Sequence, residues 1–279
     1  MKRVLIWIVS FILTLIIAHY QRVTGPTWPV KDKFSIANKQ YEIVYIRSHY
    51  STSDAKIKIV LPDTAISGKL FYHLYLLDKP YKAEKLVRSG DTLIGTLPKL
   101  PPAGKYEYYV ELYDQQGHTV YSRKDKPVII RFKGYVPLYL LLPHILFMFL
   151  AIFLGLTAGL LALFDDLSYH KVQWWTLISL LIGGFILGPL VQKYAFGQLW
   201  TGVPFGWDLT DNKTLIMLIG WIAAIWANRH ESRRWWTVGA ALLQIIVYLI
   251  PHSLHGSTLN PETGEVIQGF IVSVISLFT

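Results

Sequence analysis

A short segment rich in glycine and aromatic residues carries most of the polar side chains that could do chemistry. It reads FGQLWTGVPFGWDLTDNKT over residues 196–214, and its candidates, next to Trp207, are Asp208, Asp211 and Asn212. Oxygen ligands at this spacing occur in calcium loops, but the glycine and terminal glutamate that complete such a loop are missing. One hypothesis is a cation site or an acid/base pair. The other is an interfacial loop that ends in a helix capped by Thr210 or Asp211.

Three histidines form a second candidate group. His252 and His255 lie three residues apart in the segment PHSLHGS, so one helical turn would place both on the same face. We expect His144 at a similar depth near the same membrane surface. Neutral imidazole binds zinc or copper, and a histidine pair can ligate b-type haem. The alternative is that these side chains bind the carbonyl groups at helix ends.

The composition indicates a membrane protein. Of 279 residues, 52% are hydrophobic and only 16% are charged, whereas a soluble domain has about 25% charged residues. The chain has no cysteine, which excludes disulfides, thiolate metal sites and covalently attached c-type haem.

Apolar segments of membrane length surround one long polar region. Lys2 and Arg3 precede an apolar run without a small-x-small cleavage site, so we predict an uncleaved signal anchor over residues 1–20. Residues 21–134 would form an extracytoplasmic domain, and residues 135–279 a helical bundle of four to five spans. The predicted spans are 136–164, 175–193, 213–228, 236–252 and 266–278, the last being short for a full crossing.

The distribution of basic residues predicts the orientation. With the N-terminus in the cytoplasm, the inner side carries six basic residues: Lys2, Arg3, Lys171, Arg229, Arg233 and Arg234. The short outer connections carry only Lys193 and Lys213, in agreement with the positive-inside rule. We therefore predict a multi-pass protein of the inner or plasma membrane. The β-rich region and the segment around Asp208 would lie outside, with Trp235 and Trp236 at the inner interface.

The polar region shows the period-two pattern of β-strands. Ile57, Ile59 and Leu61 share one face, and Tyr106, Tyr108, Val110 and Leu112 share another. The stretch LPPAGKYEYYVELYDQQGHTVYS, residues 100–122, resembles the late strands of immunoglobulin-like or fibronectin-III-like sandwiches. This resemblance implies an all-β sandwich and names no function, although such domains most often bind or space other proteins.

The net charge of +9 belongs mainly to this β-rich region. Residues 19–134 hold 19 Lys/Arg and 11 Asp/Glu, whereas residues 135–279 hold 6 and 7. Next to a bilayer, this excess would favour anionic headgroups or an acidic partner, and the alternative is a solvated surface. Nucleic acid is excluded as a partner by the scattered basic residues and the extracytoplasmic location.

The second span contains a stripe of small residues at four-residue intervals. Ala151, Gly155 and Gly159 would allow another helix to approach closely. We expect another span of the same chain in this position, and a homodimer seam is the alternative. No span has an acidic residue in its middle, which argues against proton-coupled transport.

Three functions are compatible with this sequence. The first is a non-enzymatic subunit or docking and assembly factor of a larger envelope complex, with membrane subunits or an extracytoplasmic protein as partners. The second is a redox protein or enzyme that binds a metal or b-haem at an outer-leaflet site. The third is a small-molecule or lipid transporter, for which Gly183-Gly184 and Gly188-Pro189 are the only indication of a broken helix.

Overall fold

A computed structural model describes residues 1–77, 79–251 and 257–267 of the chain. It separates into two compact units. The β unit consists of residues 27–135 and 257–267, and the helical unit includes residues 1–26 and 136–251. The protein thus contains both sheets and helices. The sheets lie in the N-terminal half of the chain, and helices precede and follow them in the sequence.

The β unit contains short strands in several sheets. The strands are β1 (Val30–Ile36), β2 (Lys39–Tyr45), β3 (Ser48–Tyr50), β4 (Ala55–Val60), β5 (Ser67–Leu74), β6 (Lys82–Lys85), β7 (Val87–Ser89), β8 (Thr92–Leu97), β9 (Lys105–Tyr113), β10 (Thr119–Ser122) and β11 (Val128–Lys133). One sheet has the order β3-β11-β9-β5-β6 with β10 on β9, another has the order β4-β8-β7, and β1 pairs with β2. All neighbours are antiparallel except β3 and β11.

The core of this unit lies between these sheets, as the alternation of residue types predicts. The predicted apolar face of β4 is buried, and so is that of β9. A Cβ atom on Gly95 of β8 would come 2.9 Å from the side chain of Leu70 on β5, so the sheets approach closely there. On the opposite face of β9, Tyr109 is also buried and stacks on Phe71, with ring centroids 4.8 Å apart.

The described residues of the helical unit form six α-helices. They are α1 (Lys2–Thr24), α2 (Leu138–Leu163), α3 (Tyr169–Leu180), α4 (Gly188–Phe196), α5 (Leu209–Ala227) and α6 (Arg234–Leu249), and a π-helical segment (Leu181–Leu187) joins α3 to α4. Among the described residues, three helices are long and apolar enough to cross a membrane: α1, α2 and the continuous helix 169–196. This length and composition support a membrane protein. Helix α6 is apolar but shorter.

The small-residue stripe of α2 packs against α6 of the same chain. A Cβ atom on Gly159 would lie 2.4 Å from Cβ of Ala241, and one on Gly155 would lie 2.5 Å from the Gln244 amide. Ala151 is buried on the same stripe. Because α6 already covers this stripe, the stripe cannot also form the homodimer seam that the sequence left open as an alternative.

The C-terminal assignment from the sequence needs correction. Residues 257–267 were expected in the membrane domain, but Thr258–Leu259 (β12) and Val266–Ile267 (β13) form a hairpin within the β unit. The Leu259 N–H donates to the Ala103 carbonyl at 2.9 Å. The predicted span 266–278 therefore begins in a strand, and its remaining residues lie outside the described part of the chain.

Candidate functional site

Asp208 begins helix α5 and is not part of an open polar site. Its carboxylate accepts hydrogen bonds from the N–H groups of Thr210 and Asp211 at 2.8 and 3.3 Å. The N-cap is therefore Asp208, and the expected cap at Thr210 or Asp211 was wrong by two or three residues. The reason is local backbone geometry, because Asp208 has a non-helical backbone conformation, as an N-cap does.

Asp211 fastens the loop between α4 and α5. Its Oδ2 atom accepts from the Thr201 N–H at 2.6 Å, from the Thr201 hydroxyl at 3.0 Å and from the Gln192 amide at 3.2 Å. The Thr201 carbonyl in turn accepts from the Asp208 N–H at 2.9 Å. Hydrogen bonds to an ionised carboxylate are stronger than hydrogen bonds between neutral groups. Asp211 thus ties the loop to both of the helices that the loop connects.

Asn212 and Gly202 also help to hold the loop against α5. The Asn212 side-chain oxygen accepts from the Val203 N–H at 2.8 Å. A Cβ atom on Gly202 would lie 2.7 Å from Cβ of Asp211 and 2.8 Å from the Asn212 oxygen. Only glycine allows the loop backbone to approach α5 this closely.

These bonds speak against the predicted cation site and acid/base pair. Asp208, Asp211 and Asn212 direct oxygen atoms to backbone N–H groups, as loop and cap interactions require. In residues 1–77, 79–251 and 257–267, no group of three or more histidine, aspartate or glutamate side chains is placed to hold a metal ion. These hydrogen bonds fit the second of the two hypotheses from the sequence, a loop that leads into a capped helix.

The fastened loop displays large apolar side chains. We define the aromatic loop as Leu199–Trp207. Within it, Phe205 is 79% exposed and Trp207 is 61% exposed, and Leu199 and Val203 are also exposed. Trp200 instead stacks on Phe185, with ring centroids 5.4 Å apart. The sequence drew attention to Trp207 but missed Phe205, although the surrounding glycines indicated a tightly turned loop.

Lys213 ties the start of α5 to the end of α6. Its ammonium group donates to the carbonyls of Ile250 and Pro251 at 2.9 and 3.3 Å. Lysine commonly satisfies such carbonyls at a helix C-terminus. The sequence places Lys213 in a short outer connection, and in the structure its side chain is buried.

His144 contacts the π-helical segment. Its Nδ1 atom lies 2.9 Å from the Gly183 carbonyl oxygen, a group in the part of the helix where the ordinary α-helical bonding is altered. His252 and His255 lie outside the described residues. The expected convergence of three imidazoles on a zinc, copper or b-haem site therefore stays a prediction.

The β unit contains a pair of buried basic residues that the sequence did not single out. Lys105 on β9 and Arg131 on β11 are direct cross-strand neighbours, and they are 9% and 8% exposed. The Lys105 ammonium donates to the Thr258 hydroxyl in the C-terminal hairpin. Burial, together with the charge of Arg131, lowers the pKa of Lys105 to about 6. The sequence predicted solvent-exposed lysines on the strands, and Lys105 departs from that pattern.

Two comparisons of the chain with known proteins found no match. No protein-family model matches the chain. A search of curated proteins likewise finds no match.

Proposed function

We propose that this protein is a non-enzymatic membrane subunit or assembly factor that docks a partner protein through the aromatic loop. The proposal rests on two features of the aromatic loop. Hydrogen bonds hold its backbone, and the Phe205 side chain is exposed. Asp211 and Asn212 hold the loop in one conformation, while the Phe205 ring is 79% exposed. A loop held in this way loses little conformational entropy when it binds.

For Phe205, a protein partner is a better explanation than the bilayer interface. Aromatic side chains that anchor a protein at the interface are mostly Trp and Tyr, which combine an apolar ring with a polar group. Phe205 has no polar group, and its most favourable environment is an apolar pocket. Rigid aromatic anchors that fill such pockets are typical of the residues that dominate protein–protein affinity.

The β unit supports a docking role on the same side of the membrane. The sequence predicts that the β unit and the aromatic loop both face outwards, and the basic excess lies in the β-rich region. An immunoglobulin-like sandwich, as the resemblance implies, would suit binding or spacing of another protein. We therefore propose an extracytoplasmic or membrane partner with an acidic surface and an apolar pocket.

The other two functions have less support from the described residues. A transporter would need a polar path between its helices, but several polar side chains there are hydrogen-bonded to other groups of the protein. Gln244 accepts from the Trp221 indole N–H at 2.6 Å and donates to the Ala151 carbonyl at 3.0 Å. At the other end of α6, Thr237 donates to Gln173 at 2.8 Å. The redox alternative depends on His252 and His255, which are not described.

The proposal can be tested by site-specific crosslinking in native membranes. A photoreactive phenylalanine at position 205 should give a discrete protein adduct, because the ring would lie in the partner's pocket. The matched control is the same probe at Trp226, an exposed residue of α5 away from the loop. After mild solubilisation, the full chain should migrate with that same partner, and Phe205→Ala should abolish the co-migration.

Two results would refute docking through the loop. One is a Phe205 probe that gives only lipid adducts. The other is a Phe205→Ala variant that migrates with the partner as the unmodified chain does. Since the Phe205 side chain is largely exposed, Phe205→Ala should leave thermal unfolding of the purified protein unchanged, and this measurement separates lost docking from lost folding.

A further inference from the structure

An open apolar groove runs between α5 and α6, away from the aromatic loop. Its volume is about 400 Å³, and its lining includes Gly220, Ala223, Trp235, Trp236, Gly239 and Leu243. A Cβ atom on Gly239 would meet no atom within 4 Å, so the groove is open at this position. The volume falls in the range of small-ligand sites, roughly 300–1,000 Å³.

Two basic residues at the start of α6 are neighbours in the sequence of the tryptophans that line the groove. Arg233 and Arg234 immediately precede the two tryptophans. The Arg234 guanidinium lies 5.4 Å from the Trp235 ring centroid and 3.0 Å from the Asp165 carboxylate. Arg233 is largely exposed and pairs at 3.2 Å with an exposed Glu231.

The whole end of the helical unit is basic even after these acids are counted. Its connections and helix starts carry six basic residues: Lys2, Arg3, Lys171, Arg229, Arg233 and Arg234. They carry three acids: Asp165, Asp166 and Glu231. This leaves a formal excess of three positive charges beside an apolar groove. Clusters of basic residues at a helix end next to the membrane attract anionic lipid headgroups.

We propose that the groove binds one anionic phospholipid, with an acyl chain between α5 and α6 and its phosphate near Arg233 and Arg234. The apolar lining matches the acyl chain. The two tryptophans would lie at the depth of the lipid headgroups, where indole rings are commonly found. Arginine also binds phosphate oxygens in a bidentate geometry, through two parallel hydrogen bonds.

Charge complementarity favours a lipid over the helix of a partner. An apolar membrane-spanning helix would gain nothing from the basic residues at the start of α6. A phospholipid uses both features at once, because its tail is apolar and its phosphate is negatively charged. This inference does not depend on the proposed docking function, since the two use different residues.

Native mass spectrometry of the full chain can test the site. We would equilibrate the purified protein with phosphatidylglycerol and phosphatidylcholine of identical acyl chains. The protein should retain phosphatidylglycerol preferentially. In Gly239→Leu, the new side chain should fill the groove and lower this retention about tenfold, since each buried methylene contributes substantially to lipid binding. The matched control is Ile222→Phe, an equally apolar change at an exposed position of α5 outside the groove.

A second variant tests the headgroup. Arg233→Gln with Arg234→Gln should remove the preference for phosphatidylglycerol but leave retention of phosphatidylcholine unchanged. Equal retention of both lipids by the unmodified chain would overturn the proposal. Full phosphatidylglycerol retention by Gly239→Leu would overturn it too.

A spectroscopic measurement avoids any dependence on folding of the variants. Phosphatidylglycerol brominated on its acyl chains should quench the tryptophan fluorescence of the unmodified protein more strongly than brominated phosphatidylcholine, because Trp235 and Trp236 border the groove. Equal quenching by the two lipids would contradict a site selective for anionic lipid.

Discussion

Arg3 and Asp166 are 163 residues apart in the chain and form an ion pair in which Arg3 Nη2 lies 3.0 Å from Asp166 Oδ1. The hydrogen bond from Arg3, with help from Ser168, lowers the pKa of Asp166 to about 2. The pair brings the start of α1 to the connection between α2 and α3. Arg234 pairs with Asp165 in the same connection, so the basic starts of α1 and α6 both meet the acidic residues of this connection at one end of the helical unit.

Labelling of single cysteines should determine which side of the membrane this end faces. The natural chain has no cysteine, so Phe205→Cys and Glu231→Cys each introduce one thiol at an exposed position. The positive-inside rule predicts that a membrane-impermeant maleimide labels Phe205→Cys in intact cells. Glu231→Cys should react only after the membrane is permeabilised. The reverse pattern would invert the orientation and place the aromatic loop in the cytoplasm.

Gly159→Leu should destabilise the helical unit by about 1–3 kcal/mol through overpacking. The Cβ atom alone would lie 2.4 Å from Cβ of Ala241, so α2 and α6 would have to separate. Reversible unfolding in mixed micelles would measure the loss. The control is Gly239→Leu, where a Cβ atom meets nothing within 4 Å. Equal stability of the two variants would show that close packing of α2 on α6 matters little.

Asp211→Ala should loosen the aromatic loop while α5 remains folded. The Thr201 N–H would lose its carboxylate acceptor, a bond of the kind that contributes about 1.5–3 kcal/mol. Hydrogen exchange at Thr201 should then accelerate by roughly tenfold or more. Phe205→Ala is the control, because the Phe205 side chain forms none of the bonds that hold the loop. Unchanged exchange in Asp211→Ala would mean that other contacts fix the loop.

Lys105→Met should stabilise the β unit most at pH values of about 6 and below. The ammonium has a pKa of about 6 in the folded protein, against an ordinary value of 10.5. Between these pH values the unfolded chain binds more protons, so the stability of the unmodified protein rises with pH. The advantage of the methionine variant should therefore shrink as the pH approaches 10.

Thermal unfolding of the full chain, followed by the β-sheet infrared band at several pH values, would measure this difference. The matched control is Lys58→Met, which removes a lysine that is exposed on β4. A constant difference between Lys105→Met and the unmodified protein would indicate that Lys105 stays charged in the fold.

The sequence by itself determined the features that depend on short-range periodicity. Alternation predicted that Ile57, Ile59 and Leu61 face the core of the β unit, and this is confirmed. The length of the apolar runs predicted α1 and α2, since a helix must satisfy its backbone bonds internally to cross a membrane. Both signals are local, so neighbouring residues suffice to read them.

Only the tertiary structure decided which distant groups meet. The sequence could not show that Asp211 binds Thr201, that Ala241 covers Gly159, or that residues 257–267 join the β unit. Each of these depends on the packing of segments far apart in the chain, and the burial of Lys105 depends on it as well. A carboxylate at a helix start is equally suited to a cation or to a backbone N–H, and the three-dimensional arrangement of its neighbours determines which one it binds.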